Sequence, residues 1–154
     1  MRPRDAMVGF ALVALGVLIG GTLFSRSIPR SVIALPDCGS TCYRPRDLAG
    51  LVASVGIRML PGWVPGIVAE TDRCLALRHP QPEARVHLVL VPKHDARDIG
   101  ELTADDQPFV MDCFAMVAAL ATTFDARNYR LVTNGPALQH VTYLHFRRPS
   151  PIAG

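Results

Sequence analysis

The feature that most constrains this chain is its beginning. From Ala6 to Phe24 the sequence "AMVGFALVALGVLIGGTLF" carries no charged residue. As a helix rising about 1.5 Å per residue it spans roughly 28 Å, close to the thickness of a bilayer's hydrocarbon core. A single retained transmembrane helix is the favoured reading, because the alternatives fit less well. A secretory signal has a shorter apolar region and a small-x-small cleavage site, and "SRSIPRSVIALPDC" offers no convincing one. A lipoprotein cleavage box fails because Pro36 and Asp37 stand ahead of Cys38. Gly9, Gly16, Gly20 and Gly21 would weaken a soluble helix, but in a membrane they let a second helix approach closely, so other membrane-protein subunits are expected partners.

Arg2 and Arg4 precede the span, while Arg26, Arg30, Arg44 and Arg46 lie beyond it. Counting these charges slightly favours the cytoplasmic side for the domain C-terminal to the span. The net charge of +3 is modest and the arginines are scattered, which excludes a nucleic-acid footprint; acidic headgroups suit the arginines beside the span better. Of the four cysteines, Cys38 and Cys42 have a C-x3-C spacing that leaves open a small disulfide loop, half a metal site, or neither. Cys74 and Cys113 lie among apolar residues and read as inert core thiols. No phosphate-binding glycine loop, HExxH or serine nucleophile elbow is present, so neither a cofactor nor a metal is expected.

The chain divides into a tail (1–5), the span (6–24), a Pro- and Ser-rich tether (25–66) and a folded domain (67–154). Within the tether, Asp47 can cap a short helix over 47–59, which "LPGWVPG" ends. Trp63, the single tryptophan, fits either a lid over the core or a membrane-interface position. From Ile67 the pattern turns to short strands: "GIVAET" and "CLALRH" flank a charged turn, and "ARVHLVLVPK" reads as a central strand buried on both faces. Thr103 or Asp105 starts a long helix, "DQPFVMDCFAMVAALATTFD", with Pro108 in its first turn and Val110, Phe114, Val117 and Leu120 on one face. "YRLVT", the Asn134-Gly135 hairpin signal and "QHVTYLHFR" close the chain. The expected class is α+β, an antiparallel sheet with one long packed helix, preceded by the transmembrane helix.

Two segments carry a family resemblance. "VAETDRCLALRHPQPEARVHLVLVPKHDARDIGELT" and "YRLVTNGPALQHVTYLHFRRP" together resemble the histidine-triad family of nucleotide-binding hydrolases and transferases. There, three alternate histidines on one strand face a phosphate, and the middle one attacks phosphorus. The resemblance implies that His145 is the nucleophile. It implies phosphate or nucleotide contacts for His87, Asn134 and Gln139.

The departures are specific. Tyr143 and Arg147 stand where the first and third histidines belong, Leu138 replaces a glycine, and Asp95 occupies the place of a further family histidine beside His94. Tyr143 can still hydrogen-bond and Arg147 can grip a phosphate, but neither is a base at neutral pH. His140 has the wrong parity for this face, and His79 lies in the loop "RHPQP"; neither is assigned a role. The favoured expectation is a membrane-anchored accessory subunit with little or no catalysis. The alternative is a membrane-tethered nucleotide-phosphate hydrolase or transferase working through His145.

Overall fold

A computed structural model of the chain describes residues 3–30, 32–33, 43–82 and 84–147; Cys38 and Cys42 lie outside them. The elements are α1 (Pro3–Phe24), α2 (Pro45–Met59), β1 (Ile67–Glu70), β2 (Cys74–Arg78), β3 (Leu88–Pro92), α3 (Gln107–Thr123), β4 (Val132–Thr133) and β5 (Phe146–Arg147). The strands form one sheet in the order β1-β2-β3-β5-β4, with every neighbouring pair antiparallel. The expected α+β class is therefore observed. Residues Arg4–Phe24 form a helix long and apolar enough to cross a membrane, with a mean hydropathy of 2.3, and that stretch is not buried against the rest of the protein.

Alternation along the strands sorts the core into two layers, because successive side chains point to opposite faces. Cys74, Ala76, Leu88, Leu90, Leu144 and Phe146 pack toward α3 with Cys113, Met116 and Leu120. Leu75, Val91 and Tyr143 pack on the other face with Ile57 of α2. The "HLVLV" strand is thus covered on both sides, as its unbroken apolar run requires.

The start of α3 is fixed by Asp106, whose Oδ2 accepts 2.8 Å hydrogen bonds from both Thr103 N and Thr103 Oγ1. Pro108 follows in the first turn. Leu120 is buried as expected and Val110 and Val117 pack against the core, but Phe114 keeps 39% of its surface exposed, and Cys113 and Met116 join Leu120 as the innermost residues. Cys74 and Cys113, read from sequence as inert thiols, form a disulfide joining β2 to α3 across the core.

Two further expectations change. Gly135 adopts φ −72° and ψ 170°, so Asn134-Gly135 is no two-residue turn. Pro136 excludes helical geometry at the residue before it, and the chain runs through a 3-10 turn at Pro136–Leu138 before β5. The closing strand starts late: among the described residues its regular pairing covers Phe146–Arg147 and not 139–145.

The segment after α1 is fixed where it meets the domain. Ser27 Oγ lies 3.1 Å from Ser54 Oγ and accepts a 2.9 Å bond from Arg58 Nη2. Arg30 is buried against Asp95, with Nη2 to Oδ1 at 2.6 Å and Nη1 to Oδ2 at 2.8 Å. The tether expected over 25–66 is therefore interrupted by an anchored stretch and by α2. Trp63 is 86% exposed, which removes its reading as a core lid.

Candidate functional site

The site lies on the α2 face of the sheet. Tyr143, His145 and Arg147 alternate along the chain, and together with Leu77, Val89 and Val91 they border a cavity of about 540 Å³. Its opposite wall comes from α2 and the turn after it, through Val52, Ile57, Trp63 and Val64. Its polar lining comes from His79, Asn134, His140, His145 and Arg147, while the α2 residues that border it are apolar. Concave sites of this kind, mostly apolar with a few converging polar groups, are the usual form of a small-molecule pocket.

His145 is oriented by the backbone. Its Nδ1 is 2.8 Å from the carbonyl oxygen of Tyr143, so Nδ1 carries the hydrogen and donates it. The lone pair of the neutral ring is left on Nε2. Burial pushes the imidazole below its ordinary value; the Tyr143 carbonyl acts in the opposite sense, while Arg147 and His79 add to the depression. A neutral imidazole with its tautomer fixed is the form in which histidine acts as a nucleophile.

Tyr143 shares the cavity wall, but its hydroxyl is committed. It donates toward the carbonyls of Pro92 at 2.7 Å and His94 at 3.2 Å. Burial, and secondarily the charge of Asp95, push the phenol well above its usual range. It cannot act as a base, and its ring serves as wall. Arg147 borders the same cavity as His145.

The remaining residues taken from sequence divide. Asn134 borders the cavity and donates from Nδ2 to Leu138 O at 3.2 Å. Gln139 lies outside the cavity lining: its Nε2 donates to the carbonyls of Arg97 at 2.8 Å and Asn134 at 3.2 Å, bracing the loop that precedes the site. His87 is buried and stacks on His79, with ring centroids 4.2 Å apart and planes 5° from parallel. It is His79 that borders the cavity. His140 also reaches it, because residues 140–143 bend instead of extending and the parity argument fails there.

Asp95 does not face the ligand. It accepts from Arg30, Ile28 N and Ser54 Oγ, so in this chain the position joins the N-terminal segment and α2 to the domain. His94 turns to Asp106, with Nδ1 to Oδ1 at 2.6 Å. Among the described residues no group of three or more His, Cys, Asp or Glu is arranged to hold a metal ion. Trp63, His79 and α2 were the missed contributors. The helix itself was visible in the sequence, but nothing in its residues says that it lies over the active-site face.

A five-stranded antiparallel sheet backed by one long helix, with an oriented histidine just before its last strand, defines a class of α+β domains. Comparison with known proteins makes the class specific. Residues 65–146 match the HIT domain model. An uncharacterised HIT-like protein of Synechococcus elongatus is 39% identical over 82 residues, which cover 51% of this chain and 72% of that protein. A HIT family hydrolase from Legionella pneumophila superposes with a TM-score of 0.55 at 26% identity, covering 60% of this chain and 88% of its own. A HIT family hydrolase from Clostridium thermocellum shares the fold, with a TM-score of 0.57 at 23% identity over 64% of this chain and 90% of its own. The chain belongs to the HIT domain family.

Proposed function

We propose that this protein is a phosphohydrolase or phosphotransferase of the histidine-triad type, with His145 as nucleophile. One observation carries the reading. The Nδ1–H of His145 is fixed on the Tyr143 carbonyl, which leaves Nε2 as the free base of a ring bordering the cavity. Nε2 attacks phosphorus, the N–P bond forms and the bond from phosphorus to the leaving group breaks. Water then attacks the phosphohistidine, restoring His145 and releasing the phosphorylated product.

The altered triad narrows the substrate. Neither Tyr143 nor Arg147 can hand a proton to a leaving group at neutral pH. A phosphate leaving group departs as an anion without one, and Arg147 offsets its charge. Phosphoanhydrides are therefore favoured over phosphoramidates, whose amine must be protonated to leave. The purified chain should hydrolyse a dinucleoside polyphosphate, with His145→Ala reducing turnover by roughly the 10² or more expected for loss of a nucleophile. Equal rates in wild type and variant would exclude this reading.

A second reading, an accessory subunit of a membrane complex, is supported by the exposed apolar residues Val52, Met59, Leu60 and Trp63 beside the anchor. Recovery of the detergent-purified chain as a lone monomer or homodimer counts against it. The disulfide between Cys74 and Cys113 bears on sidedness, because such bonds persist in oxidising compartments. It favours the non-cytoplasmic face, against the slight preference from counting arginines.

A further inference from the structure

We infer that the cavity takes an amphiphilic phosphoanhydride drawn from the membrane, with its phosphates at the His145 end and its hydrocarbon chain along the wall built by α2. The inference rests on the phosphotransfer reading above and specifies its substrate class. Three observations converge on it.

First, the cavity is chemically divided. The sheet side carries Arg147, His145 and His79, whereas the α2 residues that border the cavity, Val52, Ala53, Gly56 and Ile57, are all apolar. An alkyl chain gains from burial along that apolar wall. Second, the rim is apolar and open: Trp63 is 86% exposed and Val52 61%. An amphipathic indole at the edge of an open cavity is placed as tryptophans are at a membrane interface.

Third, the rim sits beside the anchor. Arg58, at the end of α2, donates to Ser27 at 2.9 Å, only a few residues after α1 ends at Phe24. The buried Arg30–Asp95 pair fixes the same segment to the domain. The mouth is thereby held where the membrane helix emerges, and Arg26, exposed at that junction, meets the headgroups.

The test uses the full chain in detergent and two matched substrates, the P2-hexadecyl and P2-methyl esters of adenosine 5′-diphosphate. They differ only in the chain that the apolar wall would hold. The hexadecyl ester should show kcat/KM at least roughly tenfold higher, since each buried methylene contributes several-fold in affinity. Val52→Asp, at an exposed rim position that tolerates charge, should bring the ratio of the two kcat/KM values toward one; a ratio as large as that of the wild type would overturn the inference. Equal turnover of the two esters overturns the inference while leaving His145 chemistry intact.

Binding provides an arm independent of turnover, because Trp63 is the sole tryptophan. Hexadecyl phosphate brominated along its chain should quench Trp63 saturably, and the unbrominated compound should reverse it. Arg147→Ala should weaken the effect by roughly tenfold, as expected for loss of a charge-assisted phosphate contact. Equal quenching by a brominated alkyl maltoside would mean that only micelle contact is seen, and would overturn the inference. Absence of turnover of both esters with quenching intact would defeat the catalytic reading and leave the lipid site standing.

Discussion

Replacing Asp95 with alanine should destabilise the chain more than any surface substitution. Arg30 and Asp95 have side chains 0% and 1% exposed. Among the described residues, Asp95 is the acidic partner of this guanidinium. Its Nε and Nη2 reach the carbonyl of Thr142 at 3.0 and 2.8 Å, and Nη1 reaches that of Ile28 at 3.0 Å. Asp95→Ala keeps those carbonyls but strands a buried cation, and it removes the acceptor of Ser54 Oγ and Ile28 N. Breaking such a pair from one side costs about 3–5 kcal/mol. For a chain of this size that lowers the melting temperature by roughly 6–20 °C.

The double variant Arg30→Met/Asp95→Leu should regain most of the loss, because the penalty comes from the uncompensated charge and not from lost attraction. Thermal unfolding of the detergent-solubilised chain, followed by circular dichroism, measures all three proteins. Arg127→Ala, at an ion pair exposed on both sides, serves as the silent control. An Asp95→Ala protein as stable as that control, or a double variant as unstable as the single one, would refute the reasoning.

Gly50→Ala should also destabilise, by about 1–3 kcal/mol, since a Cβ there falls 2.5 Å from both the carbonyl and hydroxyl oxygens of Thr142 and 2.8 Å from Arg30 Nε; denaturant unfolding would register it. Separating Cys74 from Cys113 by Cys113→Ser opens a loop spanning 39 residues and should cost about 4 kcal/mol on the chain-entropy estimate. In intact cells, a thiol reagent added before reductant should leave both cysteines unlabelled if the domain lies in an oxidising compartment. His145 has a depressed folded-state value, so its neutral form persists below the ordinary histidine range of about 6.5. Activity should therefore hold into mildly acidic buffer, and Arg147→Ala should move the acidic limb of the pH profile upward. By linkage, the stability this ring contributes is complete above the unfolded value and falls as pH drops from there through the folded one.

The sequence made the sheet, its long helix and the family legible because those elements follow local rules. "HLVLV" can only be a strand covered on both faces, and Pro108 can only sit in a first turn. The alternation of Tyr143, His145 and Arg147 puts them on one wall with no further information, and their placement in the cavity agrees with it. What stayed hidden depends on contacts distant in the chain. Nothing near Cys74 announces Cys113. The exclusion of His140 assumed a regular strand where the backbone bends, and His79 was set aside because its loop has no local signal for the cavity it borders.

Asp95 joins these observations. Resemblance to the family assigns its position to a histidine, and an aspartate there reads, in isolation, as the decay of a site. In the structure the carboxylate holds Arg30, the backbone of Ile28 and Ser54 of α2. Arg30 in turn spans to the carbonyl of Thr142, beside Tyr143, whose own carbonyl orients His145. The chain of contacts therefore runs from the segment just after α1 to His145 through bonds of 2.6 to 3.0 Å and one step of backbone. Through Ser54 and Arg30 the carboxylate fixes α2 to the segment after α1, so a cavity walled by α2 should fail together with this clamp. If Asp95→Ala lowers His145-dependent turnover at temperatures where the protein remains folded, the clamp positions the nucleophile; if turnover is unchanged there, Asp95 acts on stability alone.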